Sequence, residues 1–188
     1  LLLIPIILLL LSACTAVTDE VRATIKYAFE GSEDAELSQE KIDSFPYTSL
    51  YAQWSDSPRS LIVLGFVNKP DDWHFITAEK ETIVLRNGRV IRTQALNNNL
   101  LAVSNLKADP LRCIVTDKTN CSTYWERQYD IKSASKVVSR EASSEFSVQK
   151  KQVLDLPIGP VNTTYVVEKG EFTLLVDEFV NEFWLEDD

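Results

Sequence analysis

Few side chains in this sequence could act together in catalysis. The single histidine, His74, lies between Trp73 and Phe75 in a segment with strand character, which favours a packed side chain over a general base. Asp71 and Asp72 are adjacent, and adjacent residues of an extended strand point to opposite faces, so they do not form a carboxylate pair. The serines and glycines match no nucleophile-elbow or phosphate-binding pattern. The sequence therefore predicts no catalytic residue and no cofactor.

Cys14 is the residue with the clearest chemistry. An apolar run of eleven residues starts the sequence, and Ser12 and Ala13 stand directly before the cysteine. Such a run is too short for a membrane-spanning helix, which needs about 20 residues, but it suits the apolar part of a secretory signal. The arrangement resembles a bacterial lipobox. In such a signal the cysteine thiol receives a diacylglyceryl group, and the peptide is then cut just before the cysteine. The new amine is acylated, with palmitate for example. We expect residues 1–13 to be removed, with an ordinary signal peptide and a chance cysteine as the alternative.

The other two cysteines are Cys113 and Cys121. If Cys14 is lipidated, two cysteines remain, and the protein lies outside the reducing cytosol. We therefore predict that Cys113 and Cys121 form a disulfide. A zinc site needs four ligands and only His74 could add to the cysteines, so no metal site is expected. A redox pair would more often have C-x-x-C spacing. The closed loop is short, so the disulfide should stabilise the fold by only about 2–3 kcal/mol.

The charge of the chain restricts its partners. The formal net charge is −9, and because residues 1–13 contain no charged side chain, all of it belongs to residues 14–188. An acidic surface argues against nucleic acid as a partner, and against adsorption to anionic lipid head groups or acidic glycans. A lipid anchor at Cys14 must therefore hold the protein to a membrane. Thr15 is not the aspartate that tends to retain such lipoproteins at the inner membrane, so the lipobox resemblance implies the outer membrane of a Gram-negative bacterium, with the protein facing the periplasm.

The residues after Cys14 show helical periodicity before strand-like segments begin. Apolar side chains recur every four positions, at Val17, Val21, Ile25 and Phe29, and predict a short amphipathic helix that packs on the core. From residue 47 onwards, short strands alternate with turns. The pattern predicts a mainly β fold, an antiparallel meander forming a curved sheet, half-open barrel or sandwich, with the short amphipathic helix at its N-terminus.

The clearest strand signal is a hairpin turn at Asn87-Gly88, because both residues tolerate positive φ. A second glycine-containing turn is predicted at residues 168–171. A polar loop is predicted from residue 97 to 106, ended by residues 109–111. Further strands are expected at residues 47–54, 60–67, 72–78, 122–129, 136–142 and 145–156.

Exposed aromatic rings can stack on sugar rings. The candidates are the four tryptophans and three tyrosines: Trp54, Trp73, Trp125, Trp184, Tyr47, Tyr51 and Tyr124. Trp54, Trp73 and Trp125 are the possible glycan contacts that we predict. Large aromatic residues are usually well buried, so a place in the core or at its rim is the simpler explanation for most of them.

Several short segments occur in an order that resembles one family. They are Tyr47-Thr48-Ser49-Leu50-Tyr51, Leu64-Gly65-Phe66, Leu85-Arg86-Asn87-Gly88-Arg89, Asn99-Leu100-Leu101, Asp109-Pro110-Leu111 and Asn181-Glu182-Phe183-Trp184. With the lipobox and the length, they make nearly the whole chain similar to the YjbF/GfcB family of group 4 capsule and exopolysaccharide lipoproteins. Because family members usually continue past the last segment, residues 14–188 are expected to form a single β-rich periplasmic domain that is incomplete at its C-terminus.

The resemblance implies an outer-membrane lipoprotein that takes part, without catalysis, in the export or assembly of a capsule or exopolysaccharide. Its partners would be the membrane, through Cys14, and the polysaccharide and other export proteins. A glycan-binding module is the alternative. An enzyme that modifies polysaccharide or peptidoglycan ranks last, because the sequence offers no acidic pair for it.

Overall fold

The computed structural model describes residues 34–55, 57–116, 120–174 and 177–187, so Cys14 and the predicted helix at residues 17–29 lie outside the described residues. The chain divides into two units. In the smaller unit, the backbone N–H of Arg59 donates to Asp34 Oδ1 and that of Ala35 donates to the Arg59 carbonyl, both at 2.7 Å. The larger unit comprises Glu36–Ala52 and Ser60–Asp188 and contains all of the described helices and strands.

The first sheet of the larger unit is an antiparallel meander of five strands in sequence order. The strands are β1 (Ser49–Ala52), β2 (Ser60–Asn68), β3 (Asp72–Ile76), β4 (Thr82–Arg86) and β5 (Arg89–Gln94). The predicted turn at Asn87-Gly88 is confirmed, with φ angles of 50° and 78° at its two residues. A short helix, α1 (Gln39–Ser44), precedes the sheet and is capped by the Ser38 hydroxyl, which accepts from the Lys41 N–H at 3.4 Å.

The second sheet also contains five antiparallel strands, in the order β10-β9-β8-β7-β6. The strands are β6 (Asn98–Val103), β7 (Tyr124–Ser133), β8 (Lys136–Leu156), β9 (Gly159–Phe172) and β10 (Asp177–Glu186). A 3-10 turn (Leu106–Ala108) and a helix, α2 (Pro110–Thr116), lie between β6 and β7. Neither α1 nor α2 is long and apolar enough to cross a membrane.

One apolar cluster explains why the second sheet curls. All five strands of the sheet send side chains to α2, where they meet in a common core formed by Val103, Leu111, Ile114, Trp125, Phe146 and Val166, with Phe183 and Leu185 packed against it. Five neighbouring strands can reach one short helix only if the sheet bends around it. The result is a half-barrel, and the predicted class of a mainly antiparallel β fold is confirmed.

The structure differs from the sequence-based expectation in the bounds of several elements. The polar segment that begins at residue 97 belongs mostly to β6, because its backbone pairs with β7. The two strands expected at residues 136–142 and 145–156 are one strand, β8, with a register irregularity between Val148 and Lys151. The helix α2 was not expected. The predicted disulfide is confirmed, and it ties Cys113 on α2 to Cys121 with a Cα–Cα distance of 5.6 Å.

The turn predicted at residues 168–171 is wrong, because these residues lie inside β9. Gly170 faces Phe179 of β10 in the strand register. A Cβ atom at residue 170 would lie 2.4 Å from Phe179 Cζ and 2.6 Å from the Ser143 carbonyl oxygen. The glycine therefore makes room for an aromatic ring on the neighbouring strand and does not mark a turn.

Candidate functional site

A buried group of ionisable side chains lies where the start of β5 contacts the second sheet. Arg89, Asp109, Arg127 and Glu168 are each 5% exposed or less, and Glu168 has no exposed surface at all. Arg89 begins β5, Arg127 lies on β7, Glu168 lies on β9, and Asp109 directly precedes α2. We call these four residues the charge cluster.

The charge cluster is held together by short ion pairs. Arg89 Nε donates to Asp109 Oδ2 at 2.6 Å, and Arg89 Nη1 donates to Glu168 Oε2 at 2.9 Å. Arg127 Nη2 donates to Glu168 Oε1 at 2.7 Å. The Ser144 hydroxyl reaches the same oxygen at 2.7 Å, and Asn181 Nδ2 reaches Oε2 at 3.0 Å. Each oxygen of the Glu168 carboxylate therefore accepts two hydrogen bonds.

Aromatic rings surround the two guanidinium groups. Arg89 Cζ lies 4.5 Å from the centroid of Trp125 and also faces Phe146 and Phe183. Arg127 Cζ lies 4.4 Å from the Trp125 ring and also faces other rings, those of Tyr129 and Phe179. Weakly hydrated guanidinium groups tolerate such an environment better than ammonium groups do.

The cluster shifts the pKa of its own members. Burial alone would raise the pKa of Glu168, but the charge of Arg89, hydrogen bonds from Asn181 and Ser144 and the charge of Arg127 outweigh it, so the pKa is lowered. Burial likewise opposes the charged form of Arg89, yet the hydrogen bond and charge of Asp109 and the charge of Glu168 raise its pKa. Both groups are therefore kept ionised inside the core.

The charge cluster has the properties of a structural network. Its carboxylates are committed to guanidinium groups, and every buried side-chain nitrogen or oxygen among the described residues has a hydrogen-bond partner. Arg89 belongs to the first sheet, whereas Arg127 and Glu168 belong to the second. The cluster thus fastens the β4–β5 hairpin to the concave face of the second sheet.

A surface cleft offers a more accessible arrangement. It has a volume of about 520 Å³, within the range of about 300–1,000 Å³ usual for small-molecule sites. Residues of β3, the β4–β5 turn, α2 and β10 line it, including Asp71, Trp73, Asn87, Val115, Trp184 and Glu186. We call it the tryptophan cleft, because Trp73 and Trp184 carry most of its exposed aromatic surface.

Both tryptophans of the cleft are held in place by a second ring and remain partly exposed. Trp73 is 42% exposed and stacks with Phe75 at a centroid distance of 6.5 Å and an interplanar angle of 22°. Trp184 is 41% exposed and stacks with Tyr165 at 5.2 Å and 24°. Each indole therefore has a fixed orientation and a free portion of surface.

The structure separates the three tryptophans retained as glycan contacts. Trp73 lies in the cleft, and Trp54 is a half-buried residue of the smaller unit that does not line it. For Trp125 the interpretation is wrong, because its side chain is 1% exposed in the core and its Nε1 donates to the Asn105 carbonyl at 3.0 Å. Trp184, which the sequence also offered as a stacking residue, lines the cleft as well.

The other candidates of the sequence search are accounted for by packing. The His74 ring stacks on Phe66 at 4.2 Å. Asp72 pairs with Arg86 at 2.6 Å, whereas its neighbour Asp71 lines the tryptophan cleft, so the two carboxylates do not act as a pair. Among the described residues, no group of three or more histidine, cysteine, aspartate or glutamate side chains could hold a metal ion.

Sequence reasoning missed Arg127 and Glu168. For Arg127 a signal existed, since Trp125, Arg127 and Tyr129 alternate along β7 and so face the same side of the sheet. For Glu168 the neighbouring lysine and glycine indicated a turn, and no local pattern indicated burial.

Comparisons with known proteins agree with this architecture. The sequence model of the family described as "Group 4 capsule polysaccharide lipoprotein gfcB, YjbF" matches residues 22–188. The chain is 26% identical to the Escherichia coli K12 protein named uncharacterized lipoprotein GfcB, over 98% of this chain and 85% of that protein. It is 34% identical to the uncharacterized lipoprotein YjbF of the same organism, over 56% of this chain and 50% of that protein.

A solved structure shares the fold. The crystal structure of the hypothetical lipoprotein YmcC from Escherichia coli K12 superimposes with a TM-score of 0.73 and 25% sequence identity. The superposition covers 93% of this chain and 84% of that one. The family match spans all ten strands, both short helices and every residue of the charge cluster and the tryptophan cleft. The chain therefore belongs to the group 4 capsule polysaccharide lipoprotein family of GfcB and YjbF.

Proposed function

We propose that this chain is an outer-membrane lipoprotein, lipidated at Cys14 and facing the periplasm, that takes part without catalysis in the export or assembly of a capsule or exopolysaccharide. The observation that carries the proposal is the match of residues 22–188 to a family described by its capsule polysaccharide. The lipoprotein relatives support a membrane anchor, and Cys14 is the cysteine that the apolar run and the small residues select.

The geometry supports a role without catalysis. A general acid or base must reach its substrate with a pKa near the working pH. Glu168 has no exposed surface and Asp109 is 4% exposed, and both are held in ion pairs with Arg89. Among the described residues, the tryptophan cleft combines exposed rings with hydrogen-bonding groups, an arrangement that suits glycan binding.

Deletion of the gene tests the proposal. The deletion strain should lose surface polysaccharide while cytoplasmic precursor synthesis continues, because the proposed role begins after the sugar units are made. Surface polymer would be measured by quantitative staining of intact cells, and lipid-linked precursors by extraction and chromatography. A plasmid copy of the wild-type gene is the control and should restore the surface polymer. Normal surface polysaccharide in the deletion strain would contradict the proposal.

A glycan-binding module is the second candidate function, and the tryptophan cleft is the observation that favours it. Binding and export are compatible, since a non-catalytic export protein can act by holding the polymer. Saturable binding of the strain's own polysaccharide to the purified protein without its lipid would support this candidate.

A further inference from the structure

We infer that the tryptophan cleft binds uncharged pyranose residues of a glycan, with Trp73 and Trp184 as the two stacking surfaces. The inference rests on the proposed function, because it names the ligand class that the exported or assembled polymer would present. The exposed rings, the polar groups and the charges that line the cleft each support it, and they do so independently of the family description.

The first argument is the shape of the exposed aromatic surface. A pyranose ring has an apolar C–H face that packs flat against an indole, while its hydroxyl groups point outwards. Trp73 comes from β3 and Trp184 from β10. The two residues therefore belong to different sheets and line one cleft only in the folded molecule. Their stacking on Phe75 and Tyr165 fixes them before a ligand arrives, which reduces the entropy that binding must overcome.

The second argument is the set of polar groups. Asp71 and Glu186 are exposed carboxylates at the cleft, and Asn87 adds a half-buried amide in the β4–β5 turn. Carboxylate oxygens accept hydrogen bonds from sugar hydroxyl groups, and the amide both donates and accepts. A cleft with apolar walls and a few polar groups has the composition of a small-molecule site.

The third argument is the charge of the cleft, which selects among sugars. None of the described residues that line it is lysine, arginine or histidine, and the nearby Arg86 is paired with Asp72 at 2.6 Å. Two carboxylates without a cation repel a uronic acid or another anionic substituent. The formal net charge of −9 acts in the same direction. Uncharged sugar residues are therefore the class that the cleft admits.

The test compares one polymer in two charge states. Purified mature protein, without its lipid, is titrated with carboxyl-reduced polysaccharide from the host strain and with the same polysaccharide unreduced, and binding is followed by calorimetry and tryptophan fluorescence. We expect saturable binding of the carboxyl-reduced polymer. If the native polymer is rich in uronic acid, the unreduced polymer should bind at least tenfold more weakly than the reduced one. If the native polymer is already uncharged, a neutral malto-oligosaccharide series is the uncharged ligand. The same series oxidised to carry carboxylates is then the anionic ligand.

Variants locate the site. Trp73→Ala and Trp184→Ala should each weaken binding of the uncharged polymer at least tenfold. Tyr124→Ala is the matched control, because Tyr124 is 49% exposed on β7 and does not line the cleft, and it should leave binding unchanged. The double variant Asp71→Asn with Glu186→Gln should bind the anionic polymer several-fold more tightly than wild type. Circular dichroism melting curves verify that each variant is folded.

Three results would overturn the inference. One is no binding of the uncharged polymer by wild type, and another is an equal loss in Tyr124→Ala and in the tryptophan variants. The third is binding of the anionic polymer as tight as that of the uncharged one. The gene deletion separates the two proposals: loss of surface polymer in the deletion strain, together with no binding of the uncharged polymer by the purified protein, would contradict only the inference about the cleft.

Discussion

Glu168 carries a charge at a position with no exposed surface. Two guanidinium groups, a serine hydroxyl and an asparagine amide compensate for the water that it has lost. Removing one partner from such a network leaves the others buried without compensation, which typically costs about 3–5 kcal/mol. At the scale of single residues, loss of the Glu168 carboxylate should therefore lower the stability of the fold strongly.

Glu168→Gln should lower the free energy of unfolding by about 3–5 kcal/mol at neutral pH, because Arg89 and Arg127 lose their shared counter-charge. Urea denaturation followed by far-UV circular dichroism measures the change. Glu171→Gln is the matched control, since Glu171 is exposed on the same strand, and it should change stability by less than about 0.5 kcal/mol. Equal stability of the two variants would contradict the importance of the cluster.

The stability difference between wild type and Glu168→Gln should depend on pH. The pKa of Glu168 is lower in the folded protein than in the unfolded chain, so its contribution is present above the unfolded value of about 4.3. The contribution is lost as the pH falls through the folded pKa. The stability difference between wild type and Glu168→Gln should therefore be full at pH 7 and shrink below about pH 4. A difference that grew on acidification would contradict this sign.

At the scale of elements, strand β9 shows how a neighbouring strand decides the identity of a residue. Gly170 lies within this strand near its C-terminal end, at a position where glycine is usually unfavourable, because the Phe179 ring of β10 fills the space above it. The Ser143 carbonyl of β8 approaches the same position from the other side. Three strands therefore pack closely at this residue.

Gly170→Ala should destabilise the protein by about 1–3 kcal/mol, because the new methyl group would overlap both a ring and a backbone carbonyl. Gly65→Ala is a matched control inside β2. Its nearest obstacle is Ile76 Cδ1 at 2.5 Å, a side-chain end that can rotate away, so its cost should be clearly smaller. Thermal unfolding of the two variants makes the comparison, and a larger loss for Gly65→Ala would contradict the packing argument.

The elements that the sequence predicts well are those defined by local chemistry. Asn87-Gly88 determines its own turn, and Cys113 and Cys121 are close in the chain. The bounds of β6, β8 and β9 were not predictable, because they depend on pairing between strands rather than on composition.

The candidate sites follow the same rule. Glu168 lies 79 residues from Arg89 in the sequence, so no window around either residue contains the other. The tryptophan cleft likewise requires β3 and β10 to meet, which is why the sequence suggested Trp73 but not its pairing with Trp184.

At the scale of the whole molecule, the net negative charge comes from residues outside the charge cluster. The charge cluster contains two positive and two negative side chains and contributes nothing to the formal net charge of −9. The excess of acidic groups therefore lies elsewhere, where it offers no attraction to anionic lipid head groups. Under the proposed function, membrane attachment depends on the lipid alone.

Cys14→Ser should lose incorporation of a palmitate analogue, because the thiol that receives the lipid is absent. The double variant Cys113→Ser with Cys121→Ser is the control and should keep both the label and the membrane location, because these cysteines pair with each other. Metabolic labelling followed by separation of inner and outer membranes gives the measurement. Label that persists in Cys14→Ser would contradict the anchor.

The bridge between Arg89 and Glu168 also has a consequence for the order in which the chain folds. A nascent polypeptide that has reached β7 already contains Arg89 and Arg127, but their common counter-ion is made only with β9, and Asn181 follows on β10. Closing so long a loop is entropically slow, and until β9 is made Arg127 lacks its carboxylate partner while Arg89 has only Asp109. The half-barrel can therefore close around its buried charges only when nearly the whole chain is available.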